Sequence, residues 1–242
     1  MRSTIQRCVD LSIFANIYLF MNRNLLVFTA TLLLGACSHP GNNISNTPLT
    51  TTSQNTSPSQ SSTDFSAHCG YTTTIGQGPY YVSGAPLLTD GNLNYTNLPG
   101  DTLILSGYVL EGIDNPTPIP HAQIDFWQAD GLGDYHPLGS GSVNDYGEKE
   151  IALRGIVTTD DKGYYQVTSI LPKEYSRRPR HMHVKVRVEG KPELTTQLYW
   201  QLDGDSNRVT ASDVNPSSQP CQVLTPTLVD DAFLSTYNFY LR

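Results

Sequence analysis

The stretch HMHVKVRV, residues 181–188, changes side-chain character at every step. Apolar residues alternate with basic ones: Met182, Val184, Val186 and Val188 on one side, His181, His183, Lys185 and Arg187 on the other. Successive side chains of a β-strand point to opposite faces, so the pattern predicts a strand with its apolar face in a core. The two imidazoles then project from the same face, close enough to bind one metal ion. An exposed polar strand face gives the same pattern, and for an isolated H-x-H that alternative is the more common.

The composition favours a β-rich protein that does not bind nucleic acid. The 242 residues include 19 glycines and 16 prolines, and 10% are aromatic, with no long amphipathic helical stretch. A net charge of −7 leaves no basic face large enough to follow a phosphate backbone. Short strand patterns separated by Gly, Pro and Asp predict an all-β fold, a β-sandwich of roughly eight strands.

The N-terminal part of the chain carries the features of an export signal. The apolar run LLVFTATLLLGA, Leu25–Ala36, follows Met21 closely and has the length of a secretory signal rather than of a membrane span. LGAC, residues 34–37, resembles the lipobox of bacterial lipoproteins, in which the peptide is cut and the cysteine, here Cys37, is lipidated. Residues 1–37 are therefore predicted to be a signal peptide, with Met21 as an alternative start. An ordinary secretory signal with an incidental cysteine is the other interpretation.

Residues 38–66 are too polar to bury a core and are predicted to be a flexible tether rich in Ser, Thr, Asn and Pro. Residues 67–242 are predicted to form one domain. Ser38, rather than an aspartate, follows the cysteine, which in Gram-negative lipoproteins favours the outer membrane. We therefore expect an exported protein in the bacterial cell envelope, at the outer membrane or in the periplasm, held to the membrane through its lipid alone.

Two cysteines remain in the predicted domain, Cys69 and Cys221, one near each end. Because disulfides form in oxidising compartments, export predicts that they pair. Two buried thiols are the alternative.

Six blocks of the chain, in order and spacing, resemble the intradiol ring-cleavage dioxygenases, which include catechol and protocatechuate dioxygenases. They are GPYYV (78–82), LSGYV (105–109), PHAQIDFWQADGLGDY (120–135), LRGIVTTDDKGYYQVTSILPKEY (153–175), RPRHMHV (178–184) and TTQLYW (195–200). No single block would suffice, but together they cover most of the predicted domain. The resemblance implies the same β-sandwich, with the metal held by loops at one edge.

The resemblance also implies a ligand set for Fe(III). Members of the family hold the ion with two tyrosinates and two histidines, which by position are Tyr135, Tyr175, His181 and His183. Phenolates are hard anionic donors that suit a ferric ion, and the charge of the metal favours their ionisation. The implied reaction uses O2 to cleave a chelated catechol between its hydroxyls, giving a muconate-type diacid. In the family the axial tyrosine, here Tyr175, also accepts a substrate proton.

The resemblance implies catalytic roles for two further residues. Arg178 is expected to stabilise negative charge on the substrate and the developing oxyanion. Gln197 is expected to lie near the iron and to donate a hydrogen bond to an oxygen intermediate, with a structural glutamine as the alternative.

Arg177 and Arg180 are interpreted as members of a solvated basic cluster. Asp160 to Gly163 are predicted to form a hairpin turn.

The sequence leaves the substrate open among catechols and allows a homo-oligomer. Only five residues separate Tyr175 from His181, which reshapes the loop over the substrate relative to several members of the family. A different class of function is a surface-anchored β-sandwich binding module without ring-cleavage activity. The complete set of four ligand types favours the enzyme.

Overall fold

The computed structural model describes residues 70–210, 213 and 221–242. All of them belong to one compact unit, Gln60–Arg242. Within these described ranges, no helix combines the length and the apolar character needed to cross a membrane.

Several of the sequence predictions concern residues outside these described ranges. The signal peptide (1–37), the lipid-bearing Cys37 and the tether (38–66) lie outside the described residues and stay predictions. Cys221 forms a disulfide in the structure. Its predicted partner, Cys69, also lies outside the described residues, so the pairing stays a prediction.

Thirteen strands and two 3-10 helices make up the described part of the chain, which contains no α-helix. The strands are β1 (Val82–Ser83), β2 (Thr102–Glu111), β3 (Thr117–Pro118), β4 (Gln123–Gln128), β5 (Gly141–Ser142), β6 (Arg154–Thr158), β7 (Tyr164–Ile170), β8 (Arg180–Arg187), β9 (Leu194–Trp200), β10 (Val223–Leu224), β11 (Thr227–Val229), β12 (Ala232–Thr236) and β13 (Phe239–Leu241). The 3-10 helices are Val143–Asp145 and Glu148–Glu150. The predicted all-β class is confirmed. The strands outnumber the eight expected because β1, β3, β5, β10, β11 and β13 span only two or three residues each.

Two large sheets form the layers of the sandwich. One has the order β10-β9-β8-β4-β6, and its central strands β4, β8 and β9 are antiparallel neighbours. The other is built around the long strand β2, which pairs with β12 and β13 in parallel and with β3 and β7 in antiparallel. β1 and β5 form a small separate pair.

The main apolar core lies between these two sheets. It joins side chains of β2, β4, β7, β8 and β9, such as Leu105, Phe126, Val167, Val184 and Leu198, all without solvent exposure. The predicted inward face of β8 is therefore confirmed. Its other face is covered as well, because His181 and His183 are each only 1% exposed. The exposed polar strand face that the alternation also allowed is wrong for this strand.

The predicted hairpin at Asp160 is wrong, although the turn itself is present. Asp160 accepts hydrogen bonds through Oδ1 from the backbone N–H groups of Lys162 (2.8 Å) and Tyr164 (2.8 Å). The turn joins β6 in one sheet to β7 in the other, and the two strands do not pair with each other. Turn chemistry fixes a local reversal, but it does not determine which sheet receives the next strand.

Truncation of a core side chain on β2 tests this packing. We expect Leu105→Ala to lower the free energy of unfolding by about 2–5 kcal/mol, because it removes buried methyl groups and leaves a cavity. Leu228→Ala is the matched control, since Leu228 is 60% exposed. Denaturant unfolding of both variants in the same metal state measures the difference. Equal small losses would contradict the assignment of the core.

Candidate metal centre

The two histidines of β8 stand side by side on the covered outer face of their sheet. Their ring centroids are 4.9 Å apart, with the rings nearly perpendicular. Trp127 lies opposite His183 on β4 and stacks on its imidazole at 4.9 Å, with only 7° between the planes. A rigid central strand and a stacked indole therefore fix the direction of these side chains.

A backbone carbonyl fixes the tautomer of His181. Its Nδ1 lies 2.7 Å from the carbonyl oxygen of Pro179, and a carbonyl only accepts, so Nδ1–H is the donor. The lone pair is then on Nε2, which faces the hydroxyl oxygens of Tyr135 at 3.4 Å and Tyr175 at 3.5 Å. This is the arrangement in which a second hydrogen bond orients a histidine for metal binding.

The two tyrosines reach this place from different loops. Tyr135 follows β4 in a loop held by Asp130, whose Oδ1 accepts three backbone N–H groups, those of Leu132, Gly133 and Asp134. Tyr175 lies between β7 and β8. Their rings meet edge to face with centroids 5.4 Å apart. Gly133 permits this contact, because a Cβ there would lie 3.1 Å from the Cβ of Tyr175.

The arrangement fits a ferric ion. Neither ring nitrogen of His183 has a hydrogen-bond partner among the described residues, although both are buried, and unpaired buried polar atoms are rare because they are costly. One ring nitrogen of His183, Nε2 of His181 and the two phenol oxygens give two nitrogen and two hard oxygen donors, which suit Fe(III). Within the described ranges, no cluster of three or more His, Cys, Asp or Glu residues offers an alternative metal site.

Burial sets the protonation states of these donors. It lowers the pKa of His181 to about 4 and that of His183 well below its usual value, with the nearby charge of Arg178 acting in the same direction. Both imidazoles are therefore neutral at pH 7. Burial also raises the pKa of Tyr135 and of Tyr175 above 10, so these phenols ionise at neutral pH only beside a strong positive charge such as a metal ion.

The buried histidines predict a pH dependence for the iron-free protein. Above pH 6.5 His181 is neutral in both the folded and the unfolded states. As the pH falls from 6.5 towards 4, the unfolded chain takes up the proton first, so the free energy of unfolding falls by roughly 3 kcal/mol from this residue. Urea unfolding at several pH values compares wild type with His181→Asn, which lacks this contribution. Parallel pH curves for the two proteins would contradict it.

The segment around Gly78, for which the sequence pattern predicted no individual role, forms one wall of the site. Gly78 has φ +70, and a Cβ there would lie 3.1 Å from Cε1 of His183. The ring of Tyr80 stacks on Tyr135 at 4.6 Å. The motif GPYYV was visible in the sequence, but a positive φ and a contact across the fold were not.

Gly78→Ala is expected to disturb the site directly. The substitution places a methyl group against His183 and forces an alanine into the left-handed region, at a cost of about 1–2 kcal/mol from the backbone alone. Gly76→Ala is the control, since no atom lies within 4 Å of a Cβ there. Thermal unfolding and iron content measure both variants. A Gly78→Ala protein indistinguishable from Gly76→Ala would show that this wall does not contact the metal centre.

Arg178 and Gln197 form one hydrogen-bonded group. Gln197 Oε1 accepts from Arg178 Nη2 at 2.8 Å, and its Nε2 donates to the Gly76 carbonyl at 2.6 Å. The Tyr199 hydroxyl donates to the same Oε1 at 2.8 Å, and Nε of Arg178 lies 3.5 Å from a carboxylate oxygen of Asp213. Gln197 thus orients Arg178 next to Tyr175, whose carbonyl accepts from the Arg178 backbone N–H. The predicted hydrogen bond from Gln197 to an oxygen intermediate stays a prediction.

The interpretation of Arg180 as a solvated residue is wrong. Its Nε donates to Asp205 at 2.9 Å and its Nη1 donates to the Pro172 carbonyl at 2.9 Å, in a largely buried pair. Arg177 is exposed, as expected. A run of arginines in sequence gave no sign that Asp205, on a distant loop, would pair with one of them.

A family model described as "Dioxygenase" matches residues 76–242, which include all four candidate ligands and Arg178. The chain belongs to the intradiol dioxygenase family. Among relatives, it is 32% identical over 149 residues to catechol 1,2-dioxygenase 2 of Acinetobacter lwoffii, covering 53% of this chain and 50% of that one. It is 29% identical over 170 residues to chlorocatechol 1,2-dioxygenase of Rhodococcus opacus, covering 60% and 63%. The family resemblance of the sequence is thereby confirmed.

Solved structures of the same family share the fold. The dioxygenase domain of a dioxygenase carbohydrate-binding protein fusion from Streptomyces sp. SirexAA-E matches with a TM-score of 0.54 at 29% identity, covering 71% of this chain and 97% of that domain. 3-Chlorocatechol 1,2-dioxygenase of Rhodococcus opacus 1CP matches with a TM-score of 0.55 at 28% identity, covering 72% and 74%. The chain spans about half to two thirds of the length of the curated relatives given above.

Proposed function

We propose that this protein is a non-haem Fe(III) dioxygenase that cleaves a catechol-type ring between its two hydroxyls, with O2 as the second substrate and a muconate-type diacid as the product. The observation that carries the proposal is the meeting of two phenol oxygens from separate loops at Nε2 of His181. Beside them lies the buried His183, whose ring nitrogens have no hydrogen-bond partner among the described residues. Membership of the family and the names of its relatives support it.

Tyr135, Tyr175, His181 and His183 would hold the ion. A bound ferric ion would supply Lewis acidity, which favours the catecholate form of the substrate, and the redox activity needed for the reaction of that catecholate with O2. The four side chains supply a fixed frame: the carbonyl of Pro179 orients His181, and the indole of Trp127 orients His183.

The two tyrosines differ in access, which divides their roles. Tyr135 is buried under the ring of Tyr80, whereas Tyr175 is only half-buried. Tyr175 is therefore the phenol that an entering substrate reaches, and its oxygen accepts a proton from a substrate hydroxyl. Tyr135 stays in place and keeps its oxygen directed at the centre.

Arg178 supplies positive charge on the substrate side of the centre. It lies within the same turn as Tyr175 and is oriented by Gln197. A preoriented guanidinium in a partly buried site stabilises negative charge that develops on a bound substrate. This is the part we propose for Arg178 in the reaction.

We also propose that the protein acts outside the cytoplasm, lipid-anchored through Cys37 and stabilised by a Cys69–Cys221 disulfide. The lipobox-like LGAC sequence supports the anchor, and the disulfide at Cys221 supports an oxidising compartment. Incorporation of labelled fatty acid into wild type, but not into Cys37→Ser, is the expected result.

Oxygen uptake with product analysis tests the reaction. Iron-loaded protein is supplied with catechol, a chlorocatechol, hydroxyquinol and protocatechuate, and the products are identified by mass. At least one substrate is expected to consume one O2 per ring and to gain both oxygen atoms in a diacid opened between the hydroxyls. Ring opening beside the hydroxyls, or no uptake by protein with a full complement of iron, would refute the proposal. The second of these outcomes would favour a binding module.

A further inference from the structure

Arg154, at the start of β6, is a fully buried arginine beneath the Tyr135 loop, with an exposure of 1%. Its guanidinium donates to three backbone carbonyls: Nε to His136 at 2.7 Å, Nη1 to Tyr80 at 2.5 Å and Nη2 to Pro137 at 3.0 Å. It therefore ties the segment after Tyr135 to the segment whose aromatic ring covers Tyr135.

These partners give each guanidinium nitrogen of Arg154 a hydrogen bond but do not neutralise its charge. All three are neutral carbonyls, and no carboxylate of the described residues lies within ion-pair distance of the guanidinium. An unpaired charge in a protein interior is costly, so buried cations ordinarily have an anionic partner. The guanidinium carbon lies 5.9 Å from the centroid of the Tyr135 ring. When Tyr135 binds a metal as a phenolate, it supplies that anion.

We propose that Arg154 is the counter-charge of Tyr135, a positioning residue that stabilises this tyrosine as a phenolate ligand and holds Tyr80 against it. This inference rests on the metal centre of the proposed function. Arg154 acts through Tyr135 and does not touch the substrate. Among the cations near the centre it differs from Arg178, which is half-buried and has a carboxylate, that of Asp213, nearby.

The charge has two measurable consequences. A cation near a phenolate lowers the energy of the electrons that the phenolate donates to the metal. Its removal is expected to move the tyrosinate-to-iron absorption band to longer wavelength. It is also expected to weaken iron binding roughly tenfold to hundredfold, the effect of a unit charge at this distance in a partly screened interior.

The experiment compares three variants with the wild type by visible absorption, by iron affinity in competition with a chelator, and by thermal unfolding with and without iron. Arg154→Met removes the charge, whereas Arg154→Lys keeps it and loses the three-carbonyl geometry. Arg180→Met is the matched control, because that arginine already has a carboxylate partner, Asp205. Arg154→Gln, which retains amide donors without charge, replaces Arg154→Met if the latter does not fold.

We expect the neutral Arg154 variant to show the red-shifted band and the weaker iron binding. Arg154→Lys should keep both the band and the iron affinity close to those of the wild type, and Arg180→Met should change neither. The counter-charge role would be overturned if the neutral variant kept the absorption band and the iron affinity of the wild type and lost the same thermal stability with and without iron. Arg154 would then have a purely structural role. These readouts do not involve ring cleavage. A coloured protein without turnover would refute the proposed function and leave this inference standing.

Discussion

His183→Asn is expected to yield a folded protein that binds iron roughly a hundredfold or more weakly than the wild type and has no measurable ring-cleavage activity. The imidazole of His183 makes no hydrogen bond with any described residue, so its buried ring nitrogens are available to a metal. Loss of a direct ligand costs more than the tenfold to hundredfold typical of the residues that support ligands. Chelator competition and elemental analysis measure the binding, and far-ultraviolet circular dichroism checks the fold.

His121→Asn is the matched control for this experiment. His121 has a side chain that is 70% exposed, lies far from β8 in sequence and adopts φ 57, which asparagine tolerates. The His121→Asn protein should bind iron with the affinity of the wild type. Equal iron content in the His183→Asn and His121→Asn proteins would exclude His183 as a ligand.

Arg178→Gln is expected to lower kcat/KM roughly a hundredfold to a thousandfold while the protein keeps its iron. The substitution removes the positive charge proposed to stabilise the substrate, an effect of the size seen when one donor to a developing anion is lost. It also breaks the hydrogen bond to Gln197 that orients the side chain. Steady-state kinetics of iron-replete protein measure the effect.

The neighbouring Arg177 provides the control. Its side chain is exposed, so Arg177→Gln makes the same chemical change one residue earlier without entering the site. Its kcat/KM should stay within about twofold of the wild type, the range of an ordinary surface change. If both glutamine variants retain full activity, the role of Arg178 in the reaction is wrong.

The periodic parts of the chain could be predicted from sequence. The alternation of β8 placed Met182 and Val184 in the core and directed His181 and His183 to the opposite face, and the structure has this arrangement. The alternation could not show that this second face is covered, because the covering side chains come from distant segments. The same limit applies to Asp160, whose local turn was visible while the sheet that receives the next strand was not.

The candidate site was predicted through position within family motifs rather than through any pattern of its own. Tyr135 and Tyr175 stand in loops, where tyrosines are common, and only the order of the surrounding blocks distinguished them. The residues that support the candidate ligands could not be predicted, for a physical reason. Arg154 and Gly78 act through a buried charge and a backbone angle, and both depend on contacts between segments far apart in sequence.

The visible absorption spectrum of iron-loaded protein tests the central claim most directly, because phenolate bound to ferric iron gives a strong charge-transfer band there and imidazole does not. The wild type and Tyr80→Phe, which removes a hydroxyl from the ring stacked on Tyr135, should both be reddish-brown. Tyr135→Phe should lose a large part of the band, because one of the two phenolate ligands is removed. A wild type with bound iron and no visible band, or a Tyr135→Phe spectrum identical to it, would contradict the assignment of this metal centre.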